Sequence, residues 1–498
     1  MNLNKNSEDI EEYVERASFD DRICDDLCET ILQMLSIEDR IKLTAVSHQF
    51  RRCLQLIEMR QTILNICSQM DSNRHQKNVW KRFFVKSGNA LVVDMNGFEK
   101  ILKLLPNVNQ LLFDRFTNVF ASNQVLEVLI RNNRHLKTIQ MDFQYCDQKM
   151  IEDFGLKFGQ QLKELALIES YGVVEVNVQR NIFKSFPNLI SISNVEFCAL
   201  FEAQEVLVTN LKKAIELWNI RDKHLFDLFV DNNPTLTDLE INLNLKSCVD
   251  TCALIEKVSQ LKDLNHLSID LFDCHSYDKR MGKSIESIGL KCIKLKTFSL
   301  IVLERKSFDT KHCFKAFDKF SNLNKLIVYS INNCSLKHSI EKLDINCLKN
   351  CQKLIHLDIT SDQIDDQLFV NIDSIVPNLK SLKILIKYEI TDKALESMAK
   401  LNHLKSLTIR RFTGENLNQI TDSGLLLLIN GCIHLRKVEI SYKTAITETT
   451  IKAVIQKAIK NPKILFEYEF YPIDEEIKFG QYFQTNDYCF HNISFRGE

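Results

Sequence analysis

From about residue 104 onward, one pattern keeps returning: an aliphatic residue, two variable positions, an aliphatic, one variable position, an aliphatic. It begins at Leu136 (LKTIQM), Leu162 (LKELAL), Leu236 (LTDLEI), Leu264 (LNHLSI), Leu295 (LKTFSL), Leu323 (LNKLIV), Leu354 (LIHLDI), Leu379 (LKSLKI), Leu404 (LKSLTI) and Leu435 (LRKVEI). Val108 (VNQLLF) and Leu189 (LISISN) follow it with small faults. The starts at 323, 354, 379, 404 and 435 are 31, 25, 25 and 31 residues apart. The gap of 47 residues from 189 to 236 holds two periods, with a degenerate unit near Leu211–Trp218, and a final unit is expected at Leu465–Phe470 (LFEYEF). A repeat of this length makes an array, because one unit cannot bury its apolar face alone.

The last two aliphatics of each unit alternate with variable residues, as a half-buried strand requires. Between strands the spacing turns helical. Leu368, Ile372, Ile375 and Val376 follow one strand, and Leu425, Leu428, Ile429 and Cys432 follow another. Offsets of three and four place each set on one helical face. Adjacent strands need about 4.8 Å and adjacent helices about 10 Å, so the array is expected to bend with the strands on its concave side. The expected fold class is α/β, a curved solenoid of about 13–14 strand-helix units.

Bulk composition narrows the function classes. Lys plus Arg is 64 and Asp plus Glu is 65 in 498 residues. So even a balance gives no electrostatic reason to expect nucleic acid or an anionic membrane as a partner. Glycine (12) and proline (6) are scarce, leaving little room for phosphate-cradling loops or flexible linkers. The first residues are polar and acidic, and the run LLLLI at 425–429 is far shorter than the roughly 20 residues that span a bilayer. A soluble, cytoplasmic protein is expected, with the nucleus also open. In such a compartment the sixteen cysteines are expected as reduced core thiols. The pairs Cys24/Cys28, Cys248/Cys252 and Cys347/Cys351 have helix-face spacing but no second pair at a zinc-finger distance.

In these residues the chain resembles leucine-rich-repeat proteins of the cysteine-containing subtype. Their units lead into the strand with C-P-x-L and into the helix with I-T-D. The Cys slot is filled by Cys292, Cys351 and Cys432, and the Pro slot by Pro106, Pro187, Pro234 and Pro377. The helix starts read IDD (Ile364–Asp366), ITD (Ile390–Asp392), ITD (Ile420–Asp422) and ITE (Ile446–Glu448). A Thr or Asp there caps free helix amides, and the acid that follows sits at the positive end of the dipole.

Upstream, DDLCETILQMLSIEDRIKLTAVSHQFRRCL (Asp25–Leu54) carries apolar residues at helical spacing: Leu27, Ile31, Leu35, Ile41, Leu43, Val46 and Phe50. Ser36 and Asp39 form a weaker capping box. Their order is similar to the F-box, the helical motif that docks proteins onto the Skp adaptor of cullin ubiquitin ligases. Ile23-Cys24 stands where that family has Leu-Pro. The resemblance implies adaptor contacts through Ile23, Leu27, Ile31, Leu32, Leu35, Ile41, Leu43, Val46 and Phe50. The open alternative is a helical cap on the first repeat. The domain reading is a disordered 1–17, an F-box-like 18–60, a helical linker or cap at 61–97, repeats over 98–470, and a C-terminal cap or tail at 471–498. The aromatic-rich tail either packs as a cap or crosses the concave face.

No phosphate-binding, zinc-protease or nucleophile-elbow motif is present, and no catalytic set, cofactor or metal is expected. The slot after each first aliphatic is often basic: Lys137, Lys163, Lys296, Lys380, Lys405 and Arg436. That row either recognises an anionic segment or is a solvated face. Tyr329, His356, Asp358, Lys383, Thr408, Arg410 and Glu439 are expected on the concave side as candidate substrate contacts. Together the two resemblances imply a non-catalytic substrate receptor of an SCF-type ubiquitin ligase. Its partners would be a Skp-type adaptor, a cullin-RING ligase through that adaptor, and a target protein. The alternative is a leucine-rich-repeat scaffold or inhibitor-like protein with no ligase role.

Overall fold

The computed structural model describes residues 28, 63–66, 84–87, 90–93, 95–104, 107–113, 122–168, 174–244, 250–272, 280–304, 310–332, 343–361, 364–386, 390–411, 420–444, 447–460, 466–472 and 493–496. The chain divides into two compact units, Met1–Leu211 and Lys212–Glu498.

In the first unit, β1 (Ile63–Ile66), β4 (Gln110–Phe113), β5 (Thr138–Met141), β6 (Glu164–Leu167) and β7 (Ser191–Glu196) lie side by side and parallel. Between them run α1 (Met95–Leu104), α2 (Ser122–Asn132), α3 (Gln148–Phe158) and α4 (Val176–Ser185). Two antiparallel hairpins, β2–β3 (Phe84–Ser87, Ala90–Val93) and β8–β9 (Phe201–Glu202, Glu205–Val206), stand outside the repeat. The segment 61–97, expected as helical, therefore contains three strands at its described positions. The physical reason is visible at β1: it pairs with β4, which would otherwise expose a row of backbone amides and carbonyls at the sheet edge.

The second unit stacks β10 (Lys213–Trp218), β11 (Asp238–Asn244), β12 (His266–Phe272), β13 (Thr297–Glu304), β14 (Lys325–Asn332), β15 (His356–Ser361), β16 (Ser381–Ile386), β17 (Ser406–Arg411), β18 (Lys437–Thr444), β19 (Phe466–Pro472) and β20 (Ile493–Arg496), all parallel and in chain order. Its helices are α5 (Lys223–Asn232), α6 (Thr251–Val258), α7 (Arg280–Lys291), α8 (Thr310–Lys315), α9 (Ile372–Ile375), α10 (Asp392–Met398), α11 (Asp422–Gly431) and α12 (Glu448–Lys460). Each unit is thus α/β repeat structure of the leucine-rich type. All fourteen strand segments expected from the sequence are strands, including the degenerate one at β10. The helix expected after β15 is split into a 3₁₀ turn (Asp366–Phe369) and the short α9, broken at Asn371, whose φ is 59°.

Alternation makes the core. Leu239, Leu267, Phe298, Leu326, Leu357, Leu382, Leu407 and Val438 are register partners from strand to strand, and none is more than 2% exposed. Each such side chain contributes roughly 1.5–3 kcal/mol by leaving water. Phe298 packs against the ring of Phe317 in the 3₁₀ turn Ala316–Lys319 behind it and that of Phe320 just after the turn, which fixes this as the helix side of the sheet.

Three polar ladders bind successive repeats. The carbonyl of the residue after each first aliphatic accepts two amides from the next repeat: Lys380 O from Lys405 N (2.8 Å) and Ser406 N (3.0 Å), and Lys405 O from Arg436 N (2.8 Å) and Lys437 N (3.0 Å). Buried cysteine thiols donate to carbonyls near the end of the preceding helix: Cys351 Sγ to Phe317 O (3.4 Å) and Cys432 Sγ to Met398 O (3.3 Å). At the helix starts, the acid of one repeat holds the capping threonine of the next. Asp366 accepts from Thr391 N (2.8 Å) and Oγ1 (2.6 Å), and Asp392 from Thr421 N (2.9 Å) and Oγ1 (2.6 Å). Asp422 does the same with Thr447 and also accepts from Thr450 Oγ1 at 2.5 Å. The ITD motif is therefore both a cap within a repeat and a clamp between repeats.

Candidate functional site

Parallel register with period-two alternation turns sequence position into columns on the face of the sheet away from the helices. In the second unit one column runs Glu240, Ser268, Ser299, Ile327, Asp358, Lys383, Thr408, Glu439. The next runs Asn242, Asp270, Ile301, Tyr329, Thr360, Leu385, Arg410. Six of the seven substrate-contact candidates fall in these two columns, and His356 occupies the column before them beside Lys325 and Ser381. Cross-strand neighbours of this kind have Cβ atoms about 5 Å apart, so their side chains form one continuous surface.

Charge on that surface is paired at one end and crowded at the other. Lys383 Nζ lies 2.8 Å from Asp358 Oδ2, and Arg410 Nε 2.5 Å from Glu439 Oε1. Thr408, between Lys383 and Glu439, is buried. Burial, reinforced by Lys325 and Lys380, pulls the His356 imidazole below its ordinary range. Burial also raises the Tyr329 phenol, with Lys383 opposing it. At the other end, Asp270 is half-buried and its carboxyl is pushed up to about 6. Burial is the main cause, the hydrogen bond from Ser268 Oγ (3.2 Å) works against it, and the negative charges of Glu240 and Glu216 add to it. His266 Nε2 meets Glu240 Oε1 at 2.8 Å.

The acidic group of Glu216, Glu240 and Asp270 was not among the sequence-derived candidates. Its members are 24 and 30 residues apart and come from three successive strands, Glu240 and Asp270 in neighbouring columns and Glu216 at the bulge of β10; the alternation in β11 and β12 was the available signal. The basic slot is explained by the backbone. Its carbonyl carries the inter-repeat ladder, which fixes the peptide, and Lys137, Lys296, Lys380, Lys405 and Arg436 all have exposed side chains. Of the other sequence candidates, His403 and His434 stack with ring centroids 6.4 Å apart in the turns before β17 and β18. Cys351 is buried, and burial first, then Asp318 and Cys347, pushes its thiol to about 12, the behaviour of a packing residue. Among the described residues no cluster of three His, Cys, Asp or Glu could hold a metal ion. Nor, among them, is any helix long and apolar enough to cross a membrane.

The adaptor-contact candidates Ile23, Leu27, Ile31, Leu32, Leu35, Ile41, Leu43, Val46 and Phe50 lie outside the described residues; within 18–60 only Cys28 is described, helical and buried. Residues 1–17 and 473–492 lie outside them as well.

No protein-family model matches the sequence. No curated protein matches it either. Among solved structures, the chain is similar to one described as the crystal structure of the Rad7 and Elc1 complex in yeast, at 15% identity over 78% of this chain and 93% of that one, with a TM-score of 0.45. It is also similar to a TLR13–ssRNA13 complex (14% identity, 74% of this chain, 51% of that one, TM-score 0.33). A third likeness is to the leucine-rich-repeat protein LegL7 from Legionella pneumophila (11% identity, 61% and 92%, TM-score 0.34). Scores this low carry no argument about what the chain binds.

Proposed function

We propose that this chain is the target-recognition subunit of an SCF-type ubiquitin ligase. The F-box-like stretch 18–60 docks a Skp-type adaptor, and the outward strand face of the repeats holds the protein to be modified. The observation that carries this reading is the F-box-like spacing of Leu27, Ile31, Leu35, Leu43, Val46 and Phe50 directly ahead of a repeat array. Array geometry supports it, since repeats stacked in register offer a long surface of variable side chains on a fixed backbone. Such a subunit needs no chemistry of its own. Its contribution is proximity, with the transferring groups on other subunits of the assembly. Recognition would occur in the cytoplasm or nucleus.

Co-expression with a Skp-type adaptor tests the reading. A stable complex is expected with the wild-type chain and its loss with Leu32→Asp plus Leu35→Asp. Failure of the wild type to bind, or binding that survives both substitutions, refutes it. The departure at Ile23-Cys24 favours one second reading, a repeat scaffold that binds its partner without a ligase. That reading predicts target binding by a chain that retains no affinity for the adaptor.

A further inference from the structure

The outward sheet face of the second unit changes character along its length. On β10–β12 it carries Glu216, Asp238, Glu240 and Asp270 against Lys213 and His266. On β14–β18 it carries Lys325, Lys383, Arg410 and Lys437 against Asp358 and Glu439. Ile301 on β13 lies between the two ends, and Ile327 and Tyr329 on β14 and Leu385 on β16 lie among the second set; all four are half-buried on the side of the sheet away from the core. An outward position normally tolerates polar residues, so an apolar patch that adjoins an acidic end, as Ile301 and Tyr329 continue the column of Asp270, is a surface with a built-in polarity. The adjoining carboxylates of Glu240 and Asp270 stand together although their mutual repulsion and the burial of Asp270 disfavour the charge. A cation placed beside them relieves both.

We propose that this face binds an extended polypeptide segment of the target, with an apolar centre over Ile301, Ile327, Tyr329 and Leu385 and a cationic end beside Glu240 and Asp270. The inference rests on the reading of this face as the target-binding surface and adds the chemistry of the segment recognised. From β12 to β16 is four strand steps, about 19 Å, which an extended chain spans in about six residues. Charge decides the direction in which the segment lies, and the apolar stripe supplies the area that leaves water.

The test uses the full chain and fluorescein-labelled synthetic peptides, read by fluorescence anisotropy. The probe is Lys-Lys-Ser-Ile-Tyr-Leu-Ser-Glu-Glu. One control replaces Ile, Tyr and Leu with Ser, and a second replaces both Lys with Glu. The probe is expected to bind about tenfold more tightly than either control, with affinity falling as salt rises. Glu240→Lys with Asp270→Lys should invert the preference, so that the all-acidic control becomes the tighter ligand. Ile327→Asp should abolish binding of every peptide. Absence of probe binding, equal binding of probe and controls, or a preference that survives the charge reversal overturns the proposal. Circular dichroism of each variant verifies folding, and Asp270→Asn, a milder change, must lower probe affinity too. The adaptor complex is measured on the same variants. Its retention with loss of peptide binding bears on this inference alone, whereas peptide binding without an adaptor complex removes the ligase reading alone.

Discussion

Replacing Asp270 with Asn should stabilise the protein at neutral pH. The folded environment pushes this carboxyl up to about 6 from an ordinary 3.8, first by burial and then by the charges of Glu240 and Glu216. That displacement corresponds to roughly 3 kcal/mol between the charged and neutral forms. The side chain is only half-buried, and solvent screening reduces the expected effect to about 1–2 kcal/mol. The sign follows from linkage. The folded state binds the proton more tightly than the unfolded one, so stability from the neutral form is complete below about pH 4 and is lost as pH rises through 6. Asn mimics the neutral carboxyl, can still accept from Ser268, and cannot ionise. Its advantage should be full at pH 7.5, reduced at pH 5 and gone near pH 3.5. Urea unfolding followed by tryptophan fluorescence in a Trp80→Phe background reads the second unit, because the remaining Trp218 lies on β10. A lower unfolding midpoint for the variant at pH 7.5, or a difference that does not change between pH 7.5 and 3.5, would refute the reasoning.

Asp392→Ala removes both bonds to Thr421 and leaves a cap unsupported, so a loss of about 1–3 kcal/mol is expected, measured as a drop in urea midpoint. Asp422 behaves oppositely to Asp270. Burial disfavours its charge, but the hydroxyls and amides of Thr447 and Thr450 outweigh it and hold the carboxyl below its usual range. Asp422→Asn should therefore cost stability at pH 7, and the cost should fade as pH falls below about 4, where first the unfolded and then the folded state takes up the proton. Lys457 is half-buried and donates to the carbonyls of Ile429 and Cys432 at 2.7 Å each, so Lys457→Met should destabilise the α11–α12 pair by about 1–3 kcal/mol in thermal melts. Burial pushes the thiols of Cys292 and Cys432 to about 11 and that of Cys351 to about 12. At pH 8 all three should resist iodoacetamide in the native protein and react in 6 M urea, as read by mass spectrometry; rapid native labelling of any of them would contradict their packing role.

Much of the fold was legible because its periodicities are physical requirements. Leu357, Leu382 and Leu407 could be assigned to one core column from spacing alone, and the degenerate β10 from the length of the gap around it. What spacing could not reveal was interaction between repeats. The ITD acid was expected to complement the dipole of its own helix, whereas Asp366, Asp392 and Asp422 each also hold the threonine of the following repeat, 25–29 residues on. The strand Ile63–Ile66 was missed for a related reason. Its pairing with Gln110–Phe113 satisfies the edge of β4, a demand that local sequence does not display. On the outward face the seven candidate contacts were read from alternation, but the acidic group was not, because Glu216 reaches it through a bulge that shifts the register of β10.

Register also separates structural charge from charge with another use. Lys383 and Asp358, like Arg410 and Glu439, are neighbours across adjacent strands and compensate each other within the sheet. Exposed or partly exposed pairs of this sort add at most about 1 kcal/mol each, but they cost little. Glu240 and Asp270 are also on adjacent strands, with like charges in a partly dehydrated setting; His266 meets Glu240, whereas Ser268 contributes one hydrogen bond to Asp270. Stability alone would favour a neutral residue such as Asn at Asp270, as its register partners on either side are Asn242 and Ile301. Local rules are broken in this way where a surface is shaped for a ligand and the cost is borne by the rest of the fold. If Asp270→Asn raises stability at neutral pH and lowers affinity for the cationic peptide end in the same experiment, the two effects have one origin: a carboxylate held ready for a charge that the protein itself does not supply.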